Sequence, residues 1–139
     1  MIGDRAEAYV RLWETMSEAS LRQLPSLVTP DVHFADPFND VRGIEALNRV
    51  MAKALRDLAE LHFVVTHRAW HRDLCLMRWD FAARTHGGRT LQIAGMSELI
   101  VAGDKVAQHI DHWDAGRQFY ELLPAIGTVL RLVRRHVAA

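Results

Sequence analysis

Four runs with the period of β-strands follow one another through the second half of the chain, at residues 61 to 71, 74 to 85, 90 to 102 and 105 to 114. His86-Gly87-Gly88-Arg89 and Gly103-Asp104 supply hairpin turns between the last three, and Arg72-Asp73 can turn the first pair. Connections this short join antiparallel neighbours, so this half of the chain reads as a meander. Helical patterning lies before and after it. Strands grouped after helices place the chain in the α+β class, with helices packed on one face of a curved antiparallel sheet.

The first half is read in the same way. Ala6, Tyr9, Trp13 and Met16 recur at helical spacing over residues 4 to 19, with Asp4 as a candidate cap. A second short helix is expected over about 20 to 28, with Pro25 early in a turn or bending it. Val32 to Asp36 reads as a short strand stopped by Pro37, and Phe38 to Gly43 as loop. Ile44, Leu47, Met51, Ala54, Leu55 and Leu58 form the stripe of a helix over about 44 to 58. The chain returns to helix at 116 to 123 and again from Pro124, with Leu123, Ile126, Leu130, Val133 and Val137 as the apolar stripe. Arg131, Arg134, Arg135 and His136 form a basic face expected to be solvated. One domain is expected over 1–139, with a core at about 4–119 and a helical extension at about 120–139.

Lys and Arg number 17, as do Asp and Glu, so the net charge is zero and nothing in the balance argues for nucleic acid. Zero net charge also favours self-association. The one cysteine, Cys75, excludes an intrachain disulfide and reads as a buried thiol in a reducing compartment. The N-terminal stretch MIGDRAEAYVRLWE carries charge too early for a signal peptide, and no apolar run approaches the roughly 20 residues of a membrane span. The expected location is the cytoplasm.

Chemistry-bearing side chains sit on the strands. In HIDHWD, residues 109–114, alternation puts His109, Asp111 and Trp113 on one face. Arg78 and Asp80 share a face in the run 74 to 85. If these faces meet in the concavity, two carboxylates flank a guanidinium, and one can abstract a proton while the other donates. The alternative is an ion pair that only satisfies itself. Asp36, at a strand end before Pro37, is either a general base at a pocket mouth or the acceptor of backbone N–H groups in its own turn. The histidine spacing does not suit a metal: His67 and His71 lie four apart on an expected strand, and no His-Glu-x-x-His is present. No metal or cofactor is expected. Trp13 and Trp113, joined by Phe34 and Met96, are the candidate walls of an apolar pocket.

The helical start, PDVHFADP, VRGIEAL and AGDKVAQHIDHWD, in this order, resemble the nuclear transport factor 2-like superfamily, which includes ketosteroid isomerase, the SnoaL-type polyketide cyclases and limonene epoxide hydrolase. The resemblance runs from Tyr9 to about Phe119 and implies a cone-shaped fold. It also implies three chemistries. An isomerase-like base falls on Asp36 of ADP; the positions of the isomerase's tyrosine and protonated aspartate fall on Leu12 and Met96. The hydrolase's Asp-Arg-Asp set falls on Asp80, Arg78 and Asp111, with Phe34 and Asp36 where its tyrosine and asparagine stand. The cyclase's last-strand acid–base falls on Asp111, with His109 as helper. The expectation is a homodimer, paired through the outer face of the sheet, whose pocket takes an apolar small molecule and performs isomerisation, cyclisation or epoxide opening by acid–base chemistry. The rival expectation is a domain that only binds a ligand or a protein partner.

Overall fold

A computed structural model describes residues 3–139. Met1 and Ile2, which begin the expected domain, lie outside the described residues. The elements in order are α1 (Asp4–Glu14), α2 (Glu18–Leu21), α3 (Leu24–Leu27), β1 (Val28–Ala35), β2 (Asp40–Arg42), α4 (Ile44–Asp57), β3 (Leu58–His71), β4 (Leu74–Thr85), β5 (Thr90–Ala102), β6 (Lys105–His112), α5 (Ala115–Gln118), a 3-10 turn (Tyr120–Leu122) and α6 (Pro124–Val137).

The six strands form a curved sheet in the order β2-β1-β6-β5-β4-β3. The meander β3 to β6 is antiparallel throughout, and β1 joins β6 in parallel. The parallel pair arises because β1 is separated from the meander by α4, a crossover long enough to reverse the chain. The expected strand over 32 to 36 begins earlier, at Val28, and the expected loop over 38 to 43 contains β2, which pairs back onto β1 through Phe34↔Val41. A three-residue strand carries too short a pattern to be seen in sequence. The expected helix over 20 to 28 divides into α2 and α3, with Pro25 in the first turn of α3, where its missing N–H costs nothing. Gly3, not Asp4, stands before α1, and it supplies no side-chain cap.

Alternation decides which side of the sheet is core. On β4, Cys75, Met77, Trp79 and Ala83 are buried, and on β5 Leu91, Ile93, Ser97 and Leu99. Their neighbours face outward. Against this inner face pack Ala6, Tyr9, Val10 and Leu12 of α1 and Leu47 and Met51 of α4. Burial pushes the Cys75 thiol up to about 11. No helix among the described residues is long and apolar enough to cross a membrane.

α6 is oriented against expectation. Gly127 approaches the Glu121 carbonyl so closely that a Cβ there would lie 2.3 Å from the oxygen. Arg134 pairs with the Glu121 carboxylate at 2.6 Å, and Arg131 donates to the Glu121 carbonyl. Part of the basic face therefore docks on the 3-10 turn, while Ile126, Val129 and Val133 are more than half exposed. Gly127 fixes this choice, since only a helix face without a side chain fits that approach.

Candidate active site

A cavity of about 360 Å³ opens between α1, α4 and the concave side of the sheet. That is within the range of about 300–1,000 Å³ of small-molecule sites. Its walls are aromatic: Trp13 from α1, Phe63 from β3, Trp79 and Phe81 from β4, and Trp113 just after β6. Leu61 and Ile93 add aliphatic surface, and Glu14, Asp36 and Asp111 place three carboxylates on the lining. Phe63 links two of the indoles, with ring centroids 6.2 Å from Trp13 and 5.2 Å from Trp79. Trp113 is braced from behind by Phe38 at 5.4 Å, which in turn packs on Phe119 and Tyr120 of the tail.

Behind Asp111 runs a buried chain of polar groups. The β5–β6 register sets Ser97 opposite Asp111 and Leu99 opposite His109. Ser97 and His109 are each 1 % exposed, so their polar atoms must be paired inside the protein. The Trp79 indole N–H donates to Ser97 Oγ at 2.7 Å, and Ser97 donates to Asp111 Oδ1 at 2.5 Å. His109 Nε2 lies 2.6 Å from the same oxygen, and His109 Nδ1 lies 2.7 Å from the Tyr9 hydroxyl. A carboxylate oxygen accepts, so Nε2 carries the proton that faces Asp111, and the Tyr9 hydroxyl pairs with Nδ1. Burial drives the Tyr9 phenol upward, outweighing the opposing effect of the Trp13 indole, so its O–H stays protonated. Both chains of donors end on Oδ1, and Oδ2 has no hydrogen-bond partner among the described residues.

Asp36 is the acceptor of backbone N–H groups in its own turn. Its Oδ1 accepts from the backbone N–H groups of Phe38 at 2.8 Å and Asn39 at 2.7 Å, and the Asn39 amide reaches both oxygens at 3.0 and 3.2 Å. It also lines the cavity. Burial raises its pKa above the ordinary 3.8; the donors from Phe38 and Asn39 oppose this, and the charge of Asp111 adds to it. The folded protein therefore holds the Asp36 proton to higher pH than the unfolded chain does. Stability from this group is full in acid and is lost as pH rises from about 3.8 through the raised value. Urea melts across that interval are expected to show a downward slope with pH that Asp36→Asn reduces.

The other expected site residues fall in three places. Trp13 and Trp113 line the cavity; Phe34, 1 % exposed, lies behind it, stacked on Trp13 at 5.8 Å. His109 lies one layer deeper, in contact with Asp111. Arg78, Asp80 and Met96 are on the opposite side of the sheet, and Met96 is 47 % exposed. Arg78 bonds Asp80 at 2.9 Å and donates to the Trp79 carbonyl, so the pair satisfies itself on the outer face. The expected set Arg78, Asp80 and Asp111 is thus not assembled. Met77, Trp79 and Ala83 take the inner face of β4, which forces the intervening residues outward. Leu12, expected where an isomerase carries its tyrosine, is core at 3 % exposure. The tyrosine of α1 that joins the polar chain is Tyr9, one turn earlier, through its bond to His109. Sequence reading missed Tyr9, Ser97, Glu14 and Phe63. Ser97 alone left a signal, as the one polar side chain in the alternating set Leu91, Ile93, Gly95, Ser97 and Leu99.

A protein of Catenulispora acidiphila with a ketosteroid isomerase-like fold, solved in complex with trimethylamine, is similar to this chain: 13% identity over 85% of this chain and 91% of that one, TM-score 0.71. A putative SnoaL-like polyketide cyclase from Jannaschia is 17% identical over 81% of this chain and 88% of its own, TM-score 0.71. AclR, a putative hydroxylase from Streptomyces galilaeus, is 19% identical over 90% of this chain and 96% of its own, TM-score 0.67. These likenesses show the nuclear transport factor 2-like cone fold. No curated protein matches the chain. The model of the SnoaL-like domain matches residues 6–109, from α1 to the histidine behind Asp111. The chain belongs to the SnoaL-like domain family.

Proposed function

We propose that this protein is a cofactor-independent general acid–base enzyme that moves a proton on an apolar small molecule, in the isomerase or cyclase class. The observation that carries the reading is Asp111: one carboxylate oxygen is clamped by Ser97 and His109, the other has no hydrogen-bond partner among the described residues, and the residue lines an aromatic-walled cavity. A carboxylate so held meets substrate with no rotamer to fix. Asp111 takes a proton from a carbon acid through Oδ2. Asp36, kept more protonated than an ordinary aspartate, is the partner that returns one. Epoxide opening by an Asp-Arg-Asp set drops out of the reading, because Arg78 and Asp80 sit on the far side of the sheet.

The test uses a substrate-independent probe. A nitrobenzisoxazole opens its ring, with cleavage of the N–O bond, when a base removes the one C–H proton of its isoxazole ring, and it fits an apolar cavity. The protein is expected to accelerate this opening well beyond acetate at equal concentration, and Asp80→Asn is expected to leave the rate unchanged. A rate no greater than that of acetate contradicts the proposal.

The outer face of the sheet supports a homodimer. Val64, Leu76 and Met96 are 52, 44 and 47 % exposed on three adjacent strands. The Arg78–Asp80 and Glu98–His112 pairs lie among them. An apolar patch framed by paired charges is the composition of an interface. Sedimentation velocity is expected to find a dimer that Leu76→Arg converts to monomer.

A further inference from the structure

The charge of the cavity lining narrows its ligand. Glu14, Asp36 and Asp111 are lining residues, and no lysine, arginine or histidine is. Among the described residues none of the three is paired with a lysine or arginine. Glu14 accepts from the Val65 backbone N–H at 3.2 Å, Asp36 accepts from the Phe38 and Asn39 amides, and Asp111 accepts from the Ser97 hydroxyl and the His109 ring. A wholly apolar ligand that fills the space removes water from these groups and returns nothing, which is costly for a carboxylate. An anionic ligand adds repulsion. A ligand carrying a positive charge on an apolar body compensates the carboxylates and lays that charge against Trp13, Phe63, Trp79, Phe81 and Trp113, whose ring faces attract cations within about 6 Å.

We infer that the cavity is a site for an apolar organic cation, a substituted amine or quaternary ammonium carried on a hydrocarbon or aromatic frame, and that it discriminates against neutral and anionic molecules of the same shape. This rests on the reading of the cavity as the ligand site and names the substrate class for it. The aromatic rings supply the shape and the face attraction; Glu14 and Asp111 supply the sign. Glu14 is then a specificity residue. It lies at the end of α1, on the cavity wall, and the proton transfer assigned to Asp111 and Asp36 does not use it.

Three probes of nearly one shape decide the matter: phenyltrimethylammonium, its neutral isostere tert-butylbenzene, and benzenesulfonate. Three of the four tryptophans line the cavity, so quenching of intrinsic fluorescence reports occupancy, and ligand-observed NMR checks it. The cation is expected to bind at least about tenfold more tightly than tert-butylbenzene, with benzenesulfonate weakest. Glu14→Gln is expected to weaken the cation several-fold and leave tert-butylbenzene unchanged. Equal or tighter binding of tert-butylbenzene overturns the cation inference and leaves the apolar acid–base reading standing. Binding of benzenesulfonate in preference to both also overturns it. Failure of all three to bind removes the cavity reading itself, and this inference with it.

Discussion

Asp111→Asn is expected to lower the benzisoxazole ring-opening rate by about 10²–10⁴-fold while the protein stays folded. The substitution is nearly isosteric. The new amide oxygen still accepts from Ser97 and from His109 Nε2, so the buried chain from Trp79 to Tyr9 keeps its partners. What changes is the free position, where an amide N–H₂ replaces Oδ2 and accepts no proton. A stability change small beside the rate change therefore isolates the chemistry. Asp111→Ala does not, because it strands two buried donors at about 1–3 kcal/mol each. Circular dichroism and a urea melt run with the rate assay check both halves; a rate within threefold of the parent refutes the role given to Asp111.

Gly95→Ala is expected to destabilise the protein by about 1–3 kcal/mol, although it adds one methyl group. Gly95 lies opposite Trp79 across β4 and β5, and the indole lies over it. A Cβ at Gly95 would sit 2.6 Å from the outer indole carbons and 3.0 Å from the His112 carbonyl oxygen. The ring has little room to yield, because Phe63 packs on it at 5.2 Å and its N–H is committed to Ser97. Moving the indole slackens the Ser97–Asp111 bond and reshapes a cavity wall. A shifted denaturation midpoint and a changed tryptophan emission spectrum are the expected readouts; an unaltered midpoint shows that the indole does not lie over the glycine.

Much of this fold is legible in the sequence because strand periodicity and tight turns are local. The meander, α4 and the parity of His109, Asp111 and Trp113 follow from spacing alone. What spacing leaves open is which parity faces the core. On β4 both parities hold apolar residues, Leu74 and Leu76 on one and Met77 and Trp79 on the other, so Arg78 and Asp80 read equally well as inward or outward. The helices settle it by covering the side with the larger volume, and that is a tertiary effect. Tyr9 was hidden for a different reason. It occupies an ordinary core position on α1, and its link to the polar chain runs through a histidine 100 residues away. The outward apolar face of α6 was equally illegible, since it follows from one close approach of Gly127 to the Glu121 carbonyl.

The placement of Asp111 at the end of a buried chain of donors predicts where each proton lies, and nitrogen-15 NMR of the histidine rings measures that directly. His109 is expected to show a protonated Nε2, which donates to Asp111, and an unprotonated Nδ1 shifted by the hydrogen bond from Tyr9. Tyr9→Phe is expected to move the Nδ1 resonance alone. A ring protonated at Nδ1 instead, or two nitrogens averaged as in a freely exchanging surface histidine, contradicts the account.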